Sequence, residues 1–175
     1  MKDIENTPLE EMLPMVFLFD GLFWLVRYAL FAGLAFAFVY FIARRYLPQR
    51  RIQRREPGEG RRWKELGWSL STIFIFALLA MVVMTMKKYG YTQIYDEIEE
   101  YGWAYYAFSW AAVIVIHDAY FYWAHRFMHW QPVYRYVHSV HHRSTNPSPL
   151  AALAFHPLEA LIEYAVFFLL IVCLP

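Results

Sequence analysis

Four long apolar runs take up most of this chain and limit what it can fold into. They cover residues 15–43, 66–86, 103–124 and 150–174. A helix needs about 20 apolar residues to cross the hydrocarbon core of a bilayer, and each run meets that length. Hydrophobic residues make up 59% of the 175 residues, above the usual share in a soluble domain. The runs predict an all-α integral membrane helix bundle with about four transmembrane helices, formed by residues 1–175 as a single domain.

Charged segments between the runs predict an orientation in the membrane. Residues 44–65 hold nine Lys or Arg residues against three Glu residues, and short basic loops stay on the cytoplasmic side. The acidic tail, residues 1–14, is then extracytoplasmic. Because this tail lacks the basic start of a cleaved signal, we expect the first run to remain as an anchor. Counting spans from the basic loop places residues 125–149 on the cytoplasmic side.

Charge and cysteine content argue against a nucleic-acid-binding protein, a disulfide framework and a cysteine-based metal site. The formal net charge is +1, and nothing in the sequence suggests a nucleic-acid partner. The one cysteine, Cys173, lies in an apolar run, so the chain alone forms neither a disulfide framework nor a cysteine-based metal site.

Histidines are concentrated in one part of the chain, since six of the seven fall between His117 and His142. A helix turns about 100° per residue, which puts His125 and His129 within about 40° of each other, where they can bind one metal ion. Asp118 falls on the same stripe two turns earlier and is a candidate for orienting a ligand. His117 points elsewhere.

A second histidine group follows at residues 138–142. His138 and His141 share a face if their segment is helical, and His142 points about 100° away, suited to a second ion or a bridging position. Neutral imidazoles suit iron, zinc, copper or nickel, and the absence of cysteine argues against iron–sulfur and zinc-finger sites. The alternative is that these are ordinary polar residues at a helix end or a membrane interface. Five imidazoles at these spacings favour a metal site, because crowded imidazoles without a common cation are poorly solvated.

The last run begins near a His-Pro pair, His156 and Pro157, and proline is favoured at the first position of a helix. On that helix His156, Glu159 and Glu163 share one face and are candidates for orienting a ligand from across the cluster. The alternative is that the two acidic residues only stabilise the N-terminus of the helix.

The motifs HD-x-x-x-YW-x-HR-x-x-H, H-x-x-HH and FHPLE occur in this order within residues 117–163. In this combination the chain resembles the fatty acid hydroxylase superfamily, which includes sterol desaturases and methylsterol monooxygenases. The resemblance implies a membrane enzyme with two non-haem iron ions that activates O2 and hydroxylates or desaturates a lipid C–H bond. The lipid substrate would enter from the bilayer, and an external donor would supply electrons. The iron ligands that it implies are His125, His129, His138, His141 and His142, with no catalytic residue beyond them.

The resemblance also gives accompanying polar positions to Asp118 and His156, while His117 matches the pattern less closely. Members of this superfamily carry a third histidine box after the fourth span, and no histidine follows His156 here. We therefore expect a fragment of a longer domain, with a naturally truncated relative or ligands from another chain as alternatives. The rival function is a non-catalytic metal-binding or degenerate membrane helix bundle.

Overall fold

The computed structural model describes residues 7–50 and 58–175, and this part of the chain is helical with no β-strand. The prediction of an all-α fold is therefore confirmed. Four long helices form the framework, and they are α1 (Leu9–Ala37), α2 (Glu59–Lys88), α3 (Gly102–Met128) and α4 (Pro157–Cys173).

Short helical segments extend or connect these four helices. α1 continues through a π-helical segment, Phe38–Ala43, into an α-helical end, Arg44–Tyr46. The histidine-rich connection between α3 and α4 is itself mostly helical. Its segments are the α-helical turn Gln131–Val133, the π-helical turn Tyr134–His138, the α-helical turn Ser139–His142 and the 3-10 helix Pro149–Leu153. Two further 3-10 turns lie at Pro48–Arg50 and Ile98–Glu100.

The helix ends follow local sequence signals. Glu10 and Glu11 lie in the first turn of α1, where carboxylates stabilise the positive end of the helix dipole. Lys87 and Lys88 occupy the last turn of α2, where cations stabilise the negative end. Just after α2, Gly90 adopts a φ of 74°, a left-handed conformation that ends helices and that glycine adopts without strain.

The helices do not coincide with the apolar runs. α2 begins at Glu59 and Arg44–Tyr46 is helical, so the basic segment 44–65 is only partly a loop. Its residues 51–57, like residues 1–6 of the acidic tail, lie outside the described residues. The last run begins at residue 150, but α4 begins at Pro157, as the His-Pro pair predicted, because prolines at 149 and 157 separate a 3-10 turn from the helix proper.

Two helices of the described chain are long and apolar enough to cross a membrane, one over Leu9–Tyr46 and one over Gly60–Lys88. α4 has only 17 residues, and α3 carries His117 and Asp118 within its length, which lowers its hydropathy. The expected number of four spans and their orientation stay predictions.

The core lies where α1, α2 and α4 meet. One buried cluster joins Tyr28 and Ala32 of α1 to Ile73 of α2. A second joins Phe76 of α2 to Ala160 and Tyr164 of α4, and the partly buried Trp24 packs against both clusters. Most other large apolar side chains of α1 and α3 face outward, which matches a bundle solvated by lipid.

One side chain of α1 and one of α2 form hydrogen bonds to the connection that precedes α4. The hydroxyl of Tyr28 donates to the carbonyl oxygen of Leu150 at 2.7 Å, and the hydroxyl of Ser69 donates to the same oxygen at 2.8 Å. α1 and α2 therefore both hold the backbone at the start of the 3-10 helix, immediately downstream of the histidine-rich segment.

We expect Tyr28→Phe and Ser69→Ala each to lower stability by about 1 kcal/mol or less, because the carbonyl of Leu150 keeps one donor in either variant. The double variant leaves this carbonyl without either donor. Its loss of stability should exceed the sum of the two single losses by about 1–3 kcal/mol. Thermal unfolding of the detergent-solubilised protein, followed by circular dichroism, measures the effect. Ser109→Ala is the matched control, since Ser109 donates only within α3, to Tyr106. Strictly additive losses would contradict the shared-acceptor arrangement.

Candidate metal centre

Four histidines from two parts of the chain come together at the end of α3. One ring nitrogen from each lies within 4.8 Å of those of all the others. Two of them, His125 and His129, belong to the end of α3, and the other two, His138 and His142, belong to the connection that follows. Eight residues of sequence separate the two pairs, so only the fold brings them together.

The predicted pairing of His125 with His129 appears in the geometry. Their Nε2 atoms lie 3.1 Å apart, and their rings are 4.8 Å apart between centroids. Two nitrogens bound at about 2.1 Å to one ion lie about 3.0–3.4 Å apart, so this spacing suits two ligands of one metal. In the absence of a metal, the same distance is that of a hydrogen bond between the two rings.

His138 is the best-anchored member of the group. Its Nδ1 lies 2.7 Å from Oε1 of Glu159, and both side chains are only 1% exposed. A neutral imidazole that donates from Nδ1 to a carboxylate has its lone pair on Nε2. Nε2 of His138 is buried and has no hydrogen-bond partner in the protein. Metal-binding histidines commonly have this arrangement, in which a carboxylate fixes the ring while the other nitrogen binds the ion.

A π-helical turn positions His138. In the segment Tyr134–His138 the backbone hydrogen bonds join residues five apart, one more than in an α-helix. Such turns occur often at functional sites. Beyond it the chain returns to α-helix, and His142, one turn on, lies with its ring 4.6 Å from that of His138.

The second histidine group differs from expectation in the roles of its two adjacent members. His142, expected to suit a second ion or a bridging position, joins His125, His129 and His138. His141 stacks on His138 at a ring distance of 5.7 Å but lies outside the four-nitrogen group. The physical reason is the helical turn, in which residues four apart, such as His138 and His142, lie one above the other. Nδ1 of His141 is buried without a hydrogen-bond partner.

Burial and mutual repulsion lower the pKa values of His125, His138 and His142. For His138, burial first and then the charges that His125 and His142 would carry together lower the pKa to about 3. Burial first, then neighbouring histidines, also lowers the pKa values of His125 and His142. With the ring of His138 neutral, its contact with Glu159 is a hydrogen bond rather than an ion pair. Neutral imidazole is the form that binds metals.

Three other predicted site residues lie away from the group. His117 is exposed on α3 and packs near Phe167 at a ring distance of 6.5 Å. Asp118 is also exposed and precedes His125 by about 10 Å along the helix axis. His156 is the N-cap of α4, where its Nδ1 accepts a hydrogen bond from the backbone of Leu158 at 3.3 Å. None of these three belongs to the four-nitrogen group.

Glu159 lies where the sequence analysis placed a ligand-orienting residue, and its partner is His138. The helix start that Pro157 predicted brings this about, because Glu159 falls in the first turn of α4, facing the connection. The half-buried Glu163 lies one turn further along α4. It does not belong to the four-nitrogen group found in the described residues.

Aromatic neighbours of the cluster were missed in the sequence analysis. The ring of Tyr134 stacks on His129 at 5.8 Å and lies 5.5 Å from His142, while Phe121 stacks on His125 at 5.8 Å. Both lie four residues from a histidine, and this helical spacing is the signal that would have found them. Together they cover part of the cluster with apolar surface.

We expect Glu159→Leu to destabilise the protein by about 1–3 kcal/mol, because it leaves the buried Nδ1 of His138 without an acceptor. Glu159→Gln keeps an acceptor oxygen and should unfold close to the wild-type temperature. Chemical or thermal unfolding in detergent gives the comparison, with Glu163→Leu as a control on the same helix. Equal stability of the Leu and Gln variants at residue 159 would show that the hydrogen bond is not formed.

A family of known proteins matches the cluster together with α4 and the second part of α3. The fatty acid hydroxylase family model matches residues 110–175, which include all four clustered histidines and Glu159. No solved structure matches the chain significantly.

Curated relatives with sequence similarity are named as sterol-modifying enzymes. A Delta(7)-sterol 5(6)-desaturase of Gibberella zeae is 36% identical over 100 residues, covering 57% of this chain and 31% of the relative. Another, of Aspergillus fumigatus, is 32% identical over 136 residues, covering 78% of this chain and 40% of the relative. A lathosterol oxidase of Rattus norvegicus is 31% identical over 103 residues, covering 57% and 32%. The chain thus spans less than half the length of each of these relatives. It belongs to the fatty acid hydroxylase superfamily and is sterol desaturase-like.

Proposed function

We propose that the protein is a membrane oxidoreductase that uses two non-haem iron ions and O2 to hydroxylate or desaturate a C–H bond of a lipid. The observation that carries this proposal is the buried His138, fixed by Glu159 at Nδ1 and with Nε2 directed to no partner in the protein, within a group of four histidines. Relatives named as sterol desaturases support a lipid substrate of sterol or fatty acyl type.

The donor set fits iron. His125, His129, His138 and His142 would hold one ion, since their nitrogens lie within 4.8 Å of one another and offer no thiolate that would favour zinc or an iron–sulfur cluster. His141, whose buried Nδ1 has no hydrogen-bond partner, is the candidate ligand for a second ion. His117, His156 and Asp118 are not proposed as ligands, because they lie apart from the group.

Bound iron would supply the electron transfers that activate O2, and the protein would supply position and environment. Glu159 holds the ring of His138 in one orientation and one tautomer. Phe121 and Tyr134 stack against the imidazoles of His125 and His129 and help to hold their orientation. The lowered pKa values of His125, His138 and His142 reduce the competition of protons with a bound cation at these three ligands.

A lipid substrate fits the surroundings of the site. α3, whose end carries His125 and His129, exposes Ile114, Val115, Tyr122 and Trp123, which would lie against lipid chains. The substrate would therefore enter sideways from the bilayer, and a separate protein would deliver electrons. The basic segment 44–65 places the cluster on the cytoplasmic side of the membrane under this proposal.

Iron content of the purified protein tests the metal site directly. We expect His125→Ala and His138→Ala to lose most bound iron, measured by elemental analysis on folded, detergent-solubilised protein. His117→Ala is the matched control, because His117 is exposed on the same helix as His125 and lies outside the cluster. Unchanged iron in the first two variants would overturn the metal assignment.

Lipid products test the reaction. Expression of the gene's natural reading frame in a host cell, followed by mass spectrometry of extracted sterols and fatty acids, should show a new hydroxylated or desaturated species. The same experiment with His138→Ala should show none. Iron binding without any altered lipid would favour the non-catalytic metal-binding bundle instead.

Metal affinity should depend only weakly on pH near neutrality. Three imidazoles with the ordinary pKa of about 6.5 would lose about 50-fold in affinity between pH 7.5 and pH 6, because each must release a proton to bind. The lowered pKa values of His125, His138 and His142 move this competition to lower pH. We therefore expect a loss of less than about tenfold over the same range, measured by Co²⁺ titration. A 50-fold loss would show that the histidines are not desolvated.

A further inference from the structure

A buried polar stripe runs along α2, a helix that is otherwise apolar at its core. Glu65, Ser69 and Thr72 are 2%, 0% and 0% exposed. Their spacing of four and three residues puts them on one face of the helix. A buried carboxylate is costly to desolvate unless hydrogen bonds or charges compensate it. Glu65 therefore requires specific partners, and the sequence analysis counted it only as part of the basic loop.

Both carboxylate oxygens of Glu65 are satisfied by the segment that follows the histidine pair. Oε1 accepts a hydrogen bond from the hydroxyl of Ser144 at 2.7 Å. Oε2 accepts from the hydroxyl of Ser148 at 2.6 Å and from its backbone N–H at 3.2 Å. Ser144 is only two residues beyond His142, so these bonds fasten the chain directly after the second histidine group.

The same fastening reaches the other side of the cluster. The hydroxyl of Ser148 accepts from the backbone N–H of Leu150 and so caps the 3-10 helix, in which α1 and α2 hold the carbonyl of Leu150. The chain then passes Phe155, whose ring lies 5.6 Å from His141, and reaches Glu159, which holds His138. Residues 143–158 thus join His142 to Glu159, and Glu65 of α2 holds this segment through Ser144 and Ser148.

We infer that Glu65 is a positioning residue of the metal centre. Glu65 contacts none of the four clustered histidines. It fixes the position of the segment that follows His141 and His142 and leads to Glu159, and through this segment it positions both ends of the site. This inference rests on the proposed function, since it assumes that the cluster binds metal. A carboxylate on a membrane helix thereby governs the affinity and geometry of a site built by α3 and the connection to α4.

Co²⁺ binding to the full chain in detergent tests this inference. We expect Glu65→Gln to bind Co²⁺ about tenfold more weakly than wild type, as found when groups that orient metal ligands are changed. The visible absorption bands of bound Co²⁺ should also shift, because the ligand geometry changes. Glu99→Gln is the control for loss of one carboxylate, since Glu99 is exposed in the 3-10 turn before α3, and it should match wild type.

A purely structural role makes a different prediction. Glu65→Gln would then unfold at a lower temperature, but its folded fraction would bind Co²⁺ with wild-type affinity and wild-type bands, and this result would overturn the inference. Failure of wild type itself to bind Co²⁺ would instead overturn the proposed function, and the inference with it.

Ser144→Ala gives a second route if Glu65→Gln does not fold. It removes one donor to Glu65 and should weaken Co²⁺ binding in the same direction, with shifted bands. In the double variant Glu65→Gln/Ser144→Ala, the loss should be smaller than the product of the two single losses, because both act through one contact. Wild-type affinity and bands in Ser144→Ala would overturn the inference.

Discussion

The hydrogen bond between His138 and Glu159 is the contact on which the candidate site depends. It joins the π-helical turn of the connection to the first turn of α4 and lies in a fully buried position. In a buried position, an imidazole N–H or a carboxylate oxygen without a hydrogen bond destabilises the fold by more free energy than one hydrogen bond at the surface contributes. The bond therefore fixes which nitrogen of His138 is available to a metal, and also fixes how α4 meets the rest of the bundle.

α2 combines an apolar length sufficient to cross a bilayer with a buried polar face. α2 is one of the two described helices that can cross a bilayer, yet one of its faces is polar and fully buried. The cost of burying Glu65, Ser69 and Thr72 is offset for the first two by hydrogen bonds to the connection before α4. The apolar helices thus provide more than a membrane anchor, since they hold the backbone that supports the histidines.

Much of this architecture could be predicted from local sequence patterns. The apolar runs predicted the helical framework, the i, i+4 spacing predicted the contact of His125 with His129, and the His-Pro pair predicted the start of α4. Long-range pairing could not be predicted in this way. Nothing near Glu65 in the sequence indicates that Ser144 and Ser148, about eighty residues away, would satisfy it. The placement of His142 with the first pair, rather than apart from it, depends on a π-helical turn that no residue pattern announces.

That π-helical turn, Tyr134–His138, gives the protein a sensitivity to chain length that differs from its sensitivity to residue type. Eight residues separate His129 from His138, and their number sets the rotation of the second histidine group about its own helix. An inserted or deleted residue would rotate that group by about 100° and turn its imidazoles away from those of α3. In natural or laboratory evolution, this stretch should therefore accept many substitutions on its exposed face while rejecting any change in its length.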